Sequence, residues 1–293
     1  MLEQYHIENE SLPRYYGSSN ASFGELLQGV SADGDDFLVT IPIDLHSRAM
    51  FIHDPEATDV KLFPAYKSKV RKFIALLAAE YKLNITGTFI VQSDIPEGKG
   101  LSSSTADMVA TFRAIESFSG VTFDLEKVGE IFRKIEPSDG LLYPGSVIYK
   151  HRKCSFVRQL GNFPQTHIIA IDEGGVLDTI SYNKVQKNYN EEDRVLYSLL
   201  QEDLVRAFSS GDITRIGIVA TQSALLNQKF NNKKNLLLAI SMLPEINASG
   251  IITTHSGTCI GILLNPGHEN VEGVYDLVKN TFANDNVVLY KTM

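Results

Sequence analysis

The chain has 293 residues, 43% of them apolar, which is enough for one large or two modest domains with a buried core. Its net charge of −8 and isoelectric point near 5.4 argue against a nucleic-acid-binding protein, whose binding surface would be basic. No run of about 18 apolar residues occurs, so no membrane-spanning helix is predicted, and the polar N-terminal stretch is unlike a signal peptide. The two cysteines, Cys154 and Cys259, lie far apart, which favours free thiols and a reducing, cytoplasmic location.

The hydrophobic pattern predicts a mixture of strands and helices without internal repeats. Glycines and prolines separate short β-branched runs from longer segments with apolar residues at helical spacing. A domain boundary is expected near residues 162–180, dividing the chain into residues 1–165 and 166–293. The expected strands are a short one within 18–29 that runs into a turn, then 37–43, 48–52, 88–93, 147–149, 155–160, 166–172, two within 248–264, and 287–290; the expected helices are 67–81, 104–118, one that follows Asp124, 191–208, 213–227, 233–242 and 270–282.

Residues 96–106 join a predicted strand to a predicted helix through two glycines and three successive serines. Gly98 and Gly100 lack a Cβ, so the backbone can come close to a ligand. Free N–H groups at the helix start attract an anion, and serine hydroxyls can bind a phosphate oxygen or Mg²⁺. Lys99 adds a positive charge at the rim. The stretch indicates a nucleotide phosphate site, although a glycine- and serine-rich turn before a helix also occurs as a purely structural element.

Three carboxylates come next along the chain. Glu130 lies on the predicted helix after Asp124, and Glu136 and Asp139 follow it in the sequence Glu-Pro-Ser-Asp-Gly. Pro137 excludes the residue before it from a helix, so these acids are expected at a rigid helix-to-loop junction. Taken alone this is an ordinary turn. Beside a phosphate site it supplies the carboxylates that hold Mg²⁺ and deprotonate a hydroxyl in phosphoryl transfer.

Polar residues beside glycines mark two further segments. Residues 21–29 carry Glu25, which is either a solvated turn residue or part of a substrate-binding loop. Residues 253–261 form a loop of small side chains between two strands, where His255 is either a core residue or a substrate ligand. Asp44, between two predicted strands, either faces a substrate or belongs to an exposed turn.

The order Pro-x-Gly-x-Gly-Leu-Ser-Ser-Ser at residues 96–104 closely resembles the phosphate loop of the GHMP small-molecule kinases. Residues 21–29 and 253–261 resemble the first and third motifs of that superfamily and occur in the same order. The sequences Ala-Ser-x-Gly-Glu-Leu-x-Gln-Gly and Glu-Pro-Ser-Asp are similar to those of its L-threonine kinase subgroup, which acts in cobalamin synthesis. The third motif departs from the family pattern because His255 and Ser256 stand where glycines are more frequent.

The resemblance implies an α+β protein with the GHMP kinase fold. Residues 1–165 would form a domain like ribosomal protein S5 domain 2, and residues 166–293 a ferredoxin-like α/β-plait. It also implies an ATP-dependent phosphotransferase with an alcohol acceptor and with ATP and Mg²⁺ as cofactors. The expected partner is a small molecule, namely a free hydroxy amino acid such as L-threonine or a close analogue. A kinase of another alcohol (homoserine, a sugar or a mevalonate-type acid), a non-catalytic nucleotide-binding regulator, and assembly as a homodimer stay open.

The resemblance further implies a role for each residue that matches a motif. Asp139 would act as the base and Lys99 would assist catalysis. Mg²⁺ would be held by Ser104 with Glu130 and Glu136. The ATP phosphates would contact Pro96, Gly98, Lys99, Gly100, Leu101, Ser102, Ser103 and Ser104, and the substrate side would comprise Ser22, Glu25, Asp44, His255, Ser256 and Gly257.

Overall fold

The structure is a computed structural model that describes residues 12–175 and 187–293. Within these ranges the protein is α+β, as predicted, and its strands form one ten-stranded sheet. No helix in these ranges is long and apolar enough to cross a membrane. The strands are β1 (Arg14–Val30), β2 (Asp36–His53), β3 (Val60–Phe63), β4 (Gly87–Ser93), β5 (Ser146–Lys150), β6 (Ser155–Gly161), β7 (His167–Asp172), β8 (Ala248–Thr253), β9 (Cys259–Leu264) and β10 (Asn286–Lys291).

The helices follow the predicted apolar spacing closely, and their ends differ from the prediction by at most a few residues. The first buries Val70, Phe73 and Leu77 on one face, and the second ends at Gly120, whose φ of +61° stops the helix. The described helices are α1 (Ser68–Tyr81), α2 (Ser103–Ser119), α3 (Leu125–Arg133), α4 (Glu191–Ser210), α5 (Ile213–Asn227), α6 (Leu236–Met242) and α7 (Val271–Thr281).

The sheet runs in the order β10-β7-β9-β8-β1-β2-β4-β3, and the β5–β6 hairpin attaches to β2. Strands from the first half of the chain therefore lie at one end and strands from the second half at the other. A single pairing, Glu25 with Thr253, joins β1 to β8. Glu25 thus lies where the two halves of the sheet meet, and the division at residue 165 stays a prediction.

The first two strands differ from the prediction. Two short strands were expected within 37–52, and a strand that ends in a turn within 18–29, but β1 and β2 are 17 and 18 residues long. Their pairing shifts register near Ser22 and Glu25, where Gly24 adopts a φ of +49°. A bulge of this kind takes up an extra residue and bends the strand without ending it. Glycine and polar residues in this segment therefore mark bulges and not turns.

Apolar side chains form two clusters on the sheet. In the larger cluster, α2 covers β1, β2 and β4 while α1 packs against α2, and Phe51 stacks on Phe89 with ring centroids 4.3 Å apart. The smaller cluster gathers Ile169, Ile251 and Val278 between β7, β8, β9 and α7. The larger cluster fixes the first turns of α1 and α2, which open onto the site described next.

Candidate active site

A cleft of about 600 Å³ opens where α1 and α2 begin. Ser68 and Lys69 from the first turn of α1 line it, together with Ser103 and Ser104 from the first turn of α2. No side chain caps the N-terminus of either helix, whereas α3, α4 and α5 are capped by asparagine or aspartate side chains. Uncapped N–H groups and the positive ends of two helix dipoles make this part of the cleft suited to an anion.

The glycine- and serine-rich loop between β4 and α2 lies along the cleft. Gly98 and Gly100 have φ values of +73° and +79°, in the left-handed region that favours glycine. Ser102, the last residue before α2, shares this backbone conformation with a φ of +61°. Of the residues predicted to contact phosphate, the loop brings seven to the cleft: Pro96, Gly98, Gly100, Leu101, Ser102, Ser103 and Ser104.

Lys99 is the exception in this loop. Its ammonium lies 2.8 Å from an Asp172 carboxylate oxygen at the end of β7 and 2.8 Å from the Gly175 carbonyl oxygen. Burial raises the pKa of Asp172, but the Lys99 ammonium and the Thr258 hydroxyl outweigh burial and hold it below its ordinary value. Lys99 does not line the cleft, so the structure gives no geometric support to its predicted catalytic role.

Two other lysines supply positive charge to the cleft. Lys67, just before α1, is buried with its ammonium 2.5 Å from Asp107, whose other oxygen accepts a 2.6 Å hydrogen bond from Ser47. Lys69 lies 2.6 Å from a Glu136 carboxylate oxygen. Both lysines were missed in the sequence. Their signal was present, because cations at a helix N-terminus oppose the helix dipole and need a partner there.

A hydroxyl and a carboxylate of the predicted metal site meet at the start of α2. The Ser104 hydroxyl donates to Glu136 Oε1 at 2.7 Å, and Glu136 is itself buried. Glu130 is not with them: α3 buries Val128 and Ile131, and Glu130 lies on the opposite, exposed face. The structure therefore brings only one of the two predicted carboxylates to the cleft. No group of three or more metal-binding side chains occurs in residues 12–175 and 187–293.

Asp139 reaches the edge of the cleft in the loop after α3. Its surroundings raise the pKa of this carboxyl to about 7, first through burial and then through the charges of Glu25 and Glu136, against a lowering hydrogen bond from Ser102. Ser102 is in turn hydrogen-bonded to the Ser22 hydroxyl of β1. Asp139 is thus a carboxyl that exchanges a proton near neutral pH. It is held beside the glycine- and serine-rich loop between β4 and α2, which we call the phosphate-type loop.

The predicted substrate residues separate into those at the cleft and those away from it. Glu25 lines the cleft and is hydrogen-bonded through Oε2 to the His255 N–H at 2.8 Å and to His255 Nδ1 at 2.9 Å. His255 is buried and positions Glu25 without lining the cleft, whereas Ser256 does line it. Asp44 is exposed, 3.7 Å from His46, and outside the cleft, in line with the surface alternative.

The third motif packs directly on the phosphate-type loop. A Cβ at Gly257 would collide with the Lys99 carbonyl, and a Cβ at Gly100 would lie 2.6 Å from Thr254 Cβ. The Gly257 carbonyl accepts hydrogen bonds from Asn231 and Lys233, and burial lowers the pKa of Lys233 to about 8. Gly257 therefore packs against the backbone of the loop without lining the cleft.

Gln28 of β1 and His151 of the turn after β5 also line the cleft, and neither was expected from the sequence. Gln28 lies within the first motif, so its place in a motif could have pointed to it. Nothing in the sequence around His151 signals a site.

Comparison with known proteins identifies the segment that carries much of this geometry. The model of the GHMP kinases N terminal domain matches residues 68–142, from the start of α1 through the loop, Glu136 and Asp139. The L-threonine kinase of Citrobacter freundii is 25% identical over 253 residues, which cover 86% of this chain and 87% of that protein. The L-threonine kinase of Salmonella typhimurium is 25% identical over 250 residues, covering 84% and 81%.

Solved structures share the fold at lower identity. A homoserine kinase from Cytophaga hutchinsonii superposes with a TM-score of 0.74 at 15% identity, covering 96% of this chain and 94% of that one. Lactococcus lactis galactokinase complexed with galactose gives 0.72 at 13% identity, covering 100% and 97%. The domain match, the relatives and the shared fold agree with the resemblance of the three motifs. Residues 68–142 therefore form a GHMP kinases N terminal domain, the chain has the GHMP kinase fold, and it is an ATP-dependent kinase that phosphorylates an alcohol group of a small molecule.

Proposed function

We propose that the acceptor is a free hydroxy amino acid, L-threonine or a close analogue. The observation that carries the proposal is Glu25, a buried carboxylate that lines the same cleft as Asp139 and is close enough to raise its pKa. A buried carboxylate beside the reacting group suits an acceptor with a cationic group, such as an ammonium. The two relatives named L-threonine kinase support the same choice.

ATP would bind along the loop. Backbone N–H groups between Gly98 and Ser104 and the uncapped start of α2 would hold its phosphates, with Lys67 and Lys69 nearby as cations. Ser104 and Glu136 would hold Mg²⁺, because a hydroxyl and one carboxylate are the oxygen ligands that this ion takes in nucleotide sites beside phosphate oxygens. When bound, Mg²⁺ offsets the charge of the transferring phosphoryl group.

Asp139 would take the proton of the acceptor hydroxyl. A base is most effective when its pKa is near the working pH, and the raised pKa of Asp139, about 7, meets that condition. The Ser102 hydroxyl would orient the carboxylate, and the Ser22 hydroxyl would orient Ser102.

The test is an acceptor panel with purified protein, ATP and Mg²⁺, in which ADP release is measured and the product is identified by phosphorus NMR. We expect the highest kcat/KM with L-threonine or another free hydroxy amino acid. A preference for galactose or mevalonate would assign the protein to another group of GHMP kinases. ATP binding without turnover on any acceptor would favour a regulator.

A further inference from the structure

Two buried side chains of the cleft have hydrogen-bonding atoms without a partner in the part of the chain that the structure describes. They are Gln28 Oε1 and His151 Nδ1. Gln28 is 5% exposed and His151 is 4% exposed, and both line the cleft. Buried polar atoms are nearly always paired, so two unpaired atoms in one cleft point to a ligand that completes them.

The two side chains form one unit with a defined chemistry. Gln28 Nε2 and His151 Nε2 are 3.4 Å apart. Burial, and then the charges of Lys187 and Arg152, lower the pKa of His151 to about 3, so the imidazole is neutral and has one donor and one acceptor nitrogen. If the Gln28 amide donates to Nε2, then His151 Nδ1 carries the proton and Gln28 Oε1 is a free acceptor. If the amide is reversed, the Gln28 oxygen accepts from His151 Nε2–H, the Gln28 amide nitrogen is the free donor, and His151 Nδ1 is the free acceptor. The pair therefore offers one donor and one acceptor in either case.

Backbone hydrogen bonds fix this pair to the rest of the site. The Gln28 N–H donates to the Ser223 hydroxyl at 3.2 Å, and the same hydroxyl lies 3.3 Å from His255 Nε2. The His151 carbonyl accepts from the N–H of Ser138 at 3.2 Å, one residue before Asp139. The pair is therefore tied to the residue that positions Glu25 and to the loop that carries Asp139.

Charge disfavours a phosphate on the side of this pair that faces Glu25 and Asp139, whereas the charges of Lys187 and Arg152 favour an anionic group on the side of His151. Glu25 and Asp139 are close enough that the charge of one raises the pKa of the other, and a phosphate among them would be repelled. A ligand that offers both a donor and an acceptor, and that is cationic on the side of Glu25, fits instead. A free amino acid carries an ammonium and a carboxylate on one carbon atom, so a single molecule can satisfy two side chains in contact.

We propose that Gln28 and His151 determine acceptor specificity by binding the α-amino and α-carboxylate groups of the acceptor. Gln28 Oε1 accepts from the ammonium alongside Glu25, and His151 Nδ1–H donates to the carboxylate. This assignment rests on the proposed function, and it gives the two residues no part in binding ATP.

The test combines two variants with two analogues of L-threonine. Gln28→Met and His151→Leu remove the hydrogen-bonding groups while keeping apolar bulk. The analogue 1-amino-2-propanol lacks the carboxylate, and 3-hydroxybutyrate lacks the ammonium. Thr292→Val is the control, because Thr292 is buried, is hydrogen-bonded to Pro164 and Thr166, and does not line the cleft.

We expect His151→Leu to lower kcat/KM for L-threonine about tenfold or more, the usual effect of a lost hydrogen bond to a charged group. It should leave kcat/KM for 1-amino-2-propanol within about twofold of the wild-type value. Gln28→Met should lower kcat/KM for L-threonine about fivefold, since Glu25 remains, and leave kcat/KM for 3-hydroxybutyrate within about twofold of the wild-type value. His151→Asn, which retains a donor near Nδ1, should recover part of the loss. The KM for ATP should stay unchanged in all of them, and Thr292→Val should change only the melting temperature.

The outcomes separate this inference from the proposed function. If a variant loses kcat/KM equally for L-threonine and for the matching analogue, the pair only supports the fold, and the inference would be wrong. Kinetics like those of Thr292→Val would overturn it in the same way while leaving a threonine kinase intact. If the wild-type protein prefers an acceptor without amino acid groups, the proposed function and this inference both fail.

Discussion

The cleft has two sides that are built in different ways. The loop side (residues 96–105 with the first turns of α1 and α2) comes from two short stretches of chain, and its lysines are each paired with a carboxylate, as in Lys67–Asp107 and Lys69–Glu136. The strand side (Glu25, Gln28, Leu38 and His151) comes from β1, β2 and the turn after β5, and retains unpaired buried atoms.

The difference concerns what each side needs from a ligand. The loop side offers backbone N–H groups and balanced charges, which bind any nucleotide phosphate in the same manner. The strand side offers individual side chains with unmet hydrogen bonds, which discriminate between ligands, since a site built for a polar group rejects an analogue that lacks it. Changes on the loop side are therefore expected to alter rate and ATP affinity, and changes on the strand side the choice of acceptor.

Asp139 lies between the two sides, and its replacement should have the largest effect. We expect Asp139→Asn to lower kcat by about 100- to 10,000-fold, the usual contribution of a general base, with little change in the KM for ATP. A coupled ADP-release assay measures both values. Activity near that of the wild type would remove Asp139 from the mechanism.

Glu136 tests the metal site on the loop side. Glu136→Gln removes a charge that both Ser104 and Lys69 contact, and we expect about a 10- to 100-fold loss of activity, the range found when a metal site is perturbed, with a higher Mg²⁺ requirement. Glu130→Gln, on the exposed face of α3, is the matched change and should leave the Mg²⁺ titration as it is. The reverse result would restore Glu130 as the ligand predicted from the sequence.

The pH dependence of turnover reports the state of the base. Because the pKa of Asp139 is about 7, the proton that must be absent for catalysis is bound below that pH. We expect kcat/KM for the acceptor to fall about tenfold per pH unit below pH 7 and to level off above it. ATP titrates in the same range, so ATP binding is measured at each pH with a fluorescent analogue. A flat profile between pH 5.5 and pH 8 would contradict the raised pKa.

The same carboxyl should affect stability by a smaller amount. Its pKa is raised in the folded state from 3.8 to about 7, so the stability present at low pH is lost as the pH rises from about 4 to about 7. Asp139→Asn removes the charge, and we expect it to raise the melting temperature at pH 8 by at least about 2 °C, with a smaller gain at pH 5. Thermal unfolding at both pH values measures this. An equal shift in melting temperature at both would mean that ionisation of this carboxyl does not destabilise the fold.

The loop side could be predicted from the sequence because its signals are local. Gly98, Gly100 and the serines are contiguous, and Pro137 and Gly140 enclose Asp139 in a turn. The choice between Glu130 and Glu136 could also have been made. Val128 and Ile131 already mark the buried face of α3, and Glu130 falls opposite them.

The strand side could not be predicted in the same way, because its residues meet only through the sheet. His151 comes to Gln28 across 123 positions of sequence, and His255 comes to Glu25 across 230. The bulges in β1 also change which side chains face the cleft, and a strict alternation of sides along a strand does not foresee them. The roles given to these residues therefore stay predictions.

Gly100 and Gly257 face each other across the seam between the phosphate-type loop and the third motif, and a side chain on either would meet the backbone of the other. Neither position can change alone, and a change at one cannot be offset by a change at the other, since glycine is already the smallest residue. Random mutagenesis with selection for activity should therefore return glycine at both positions.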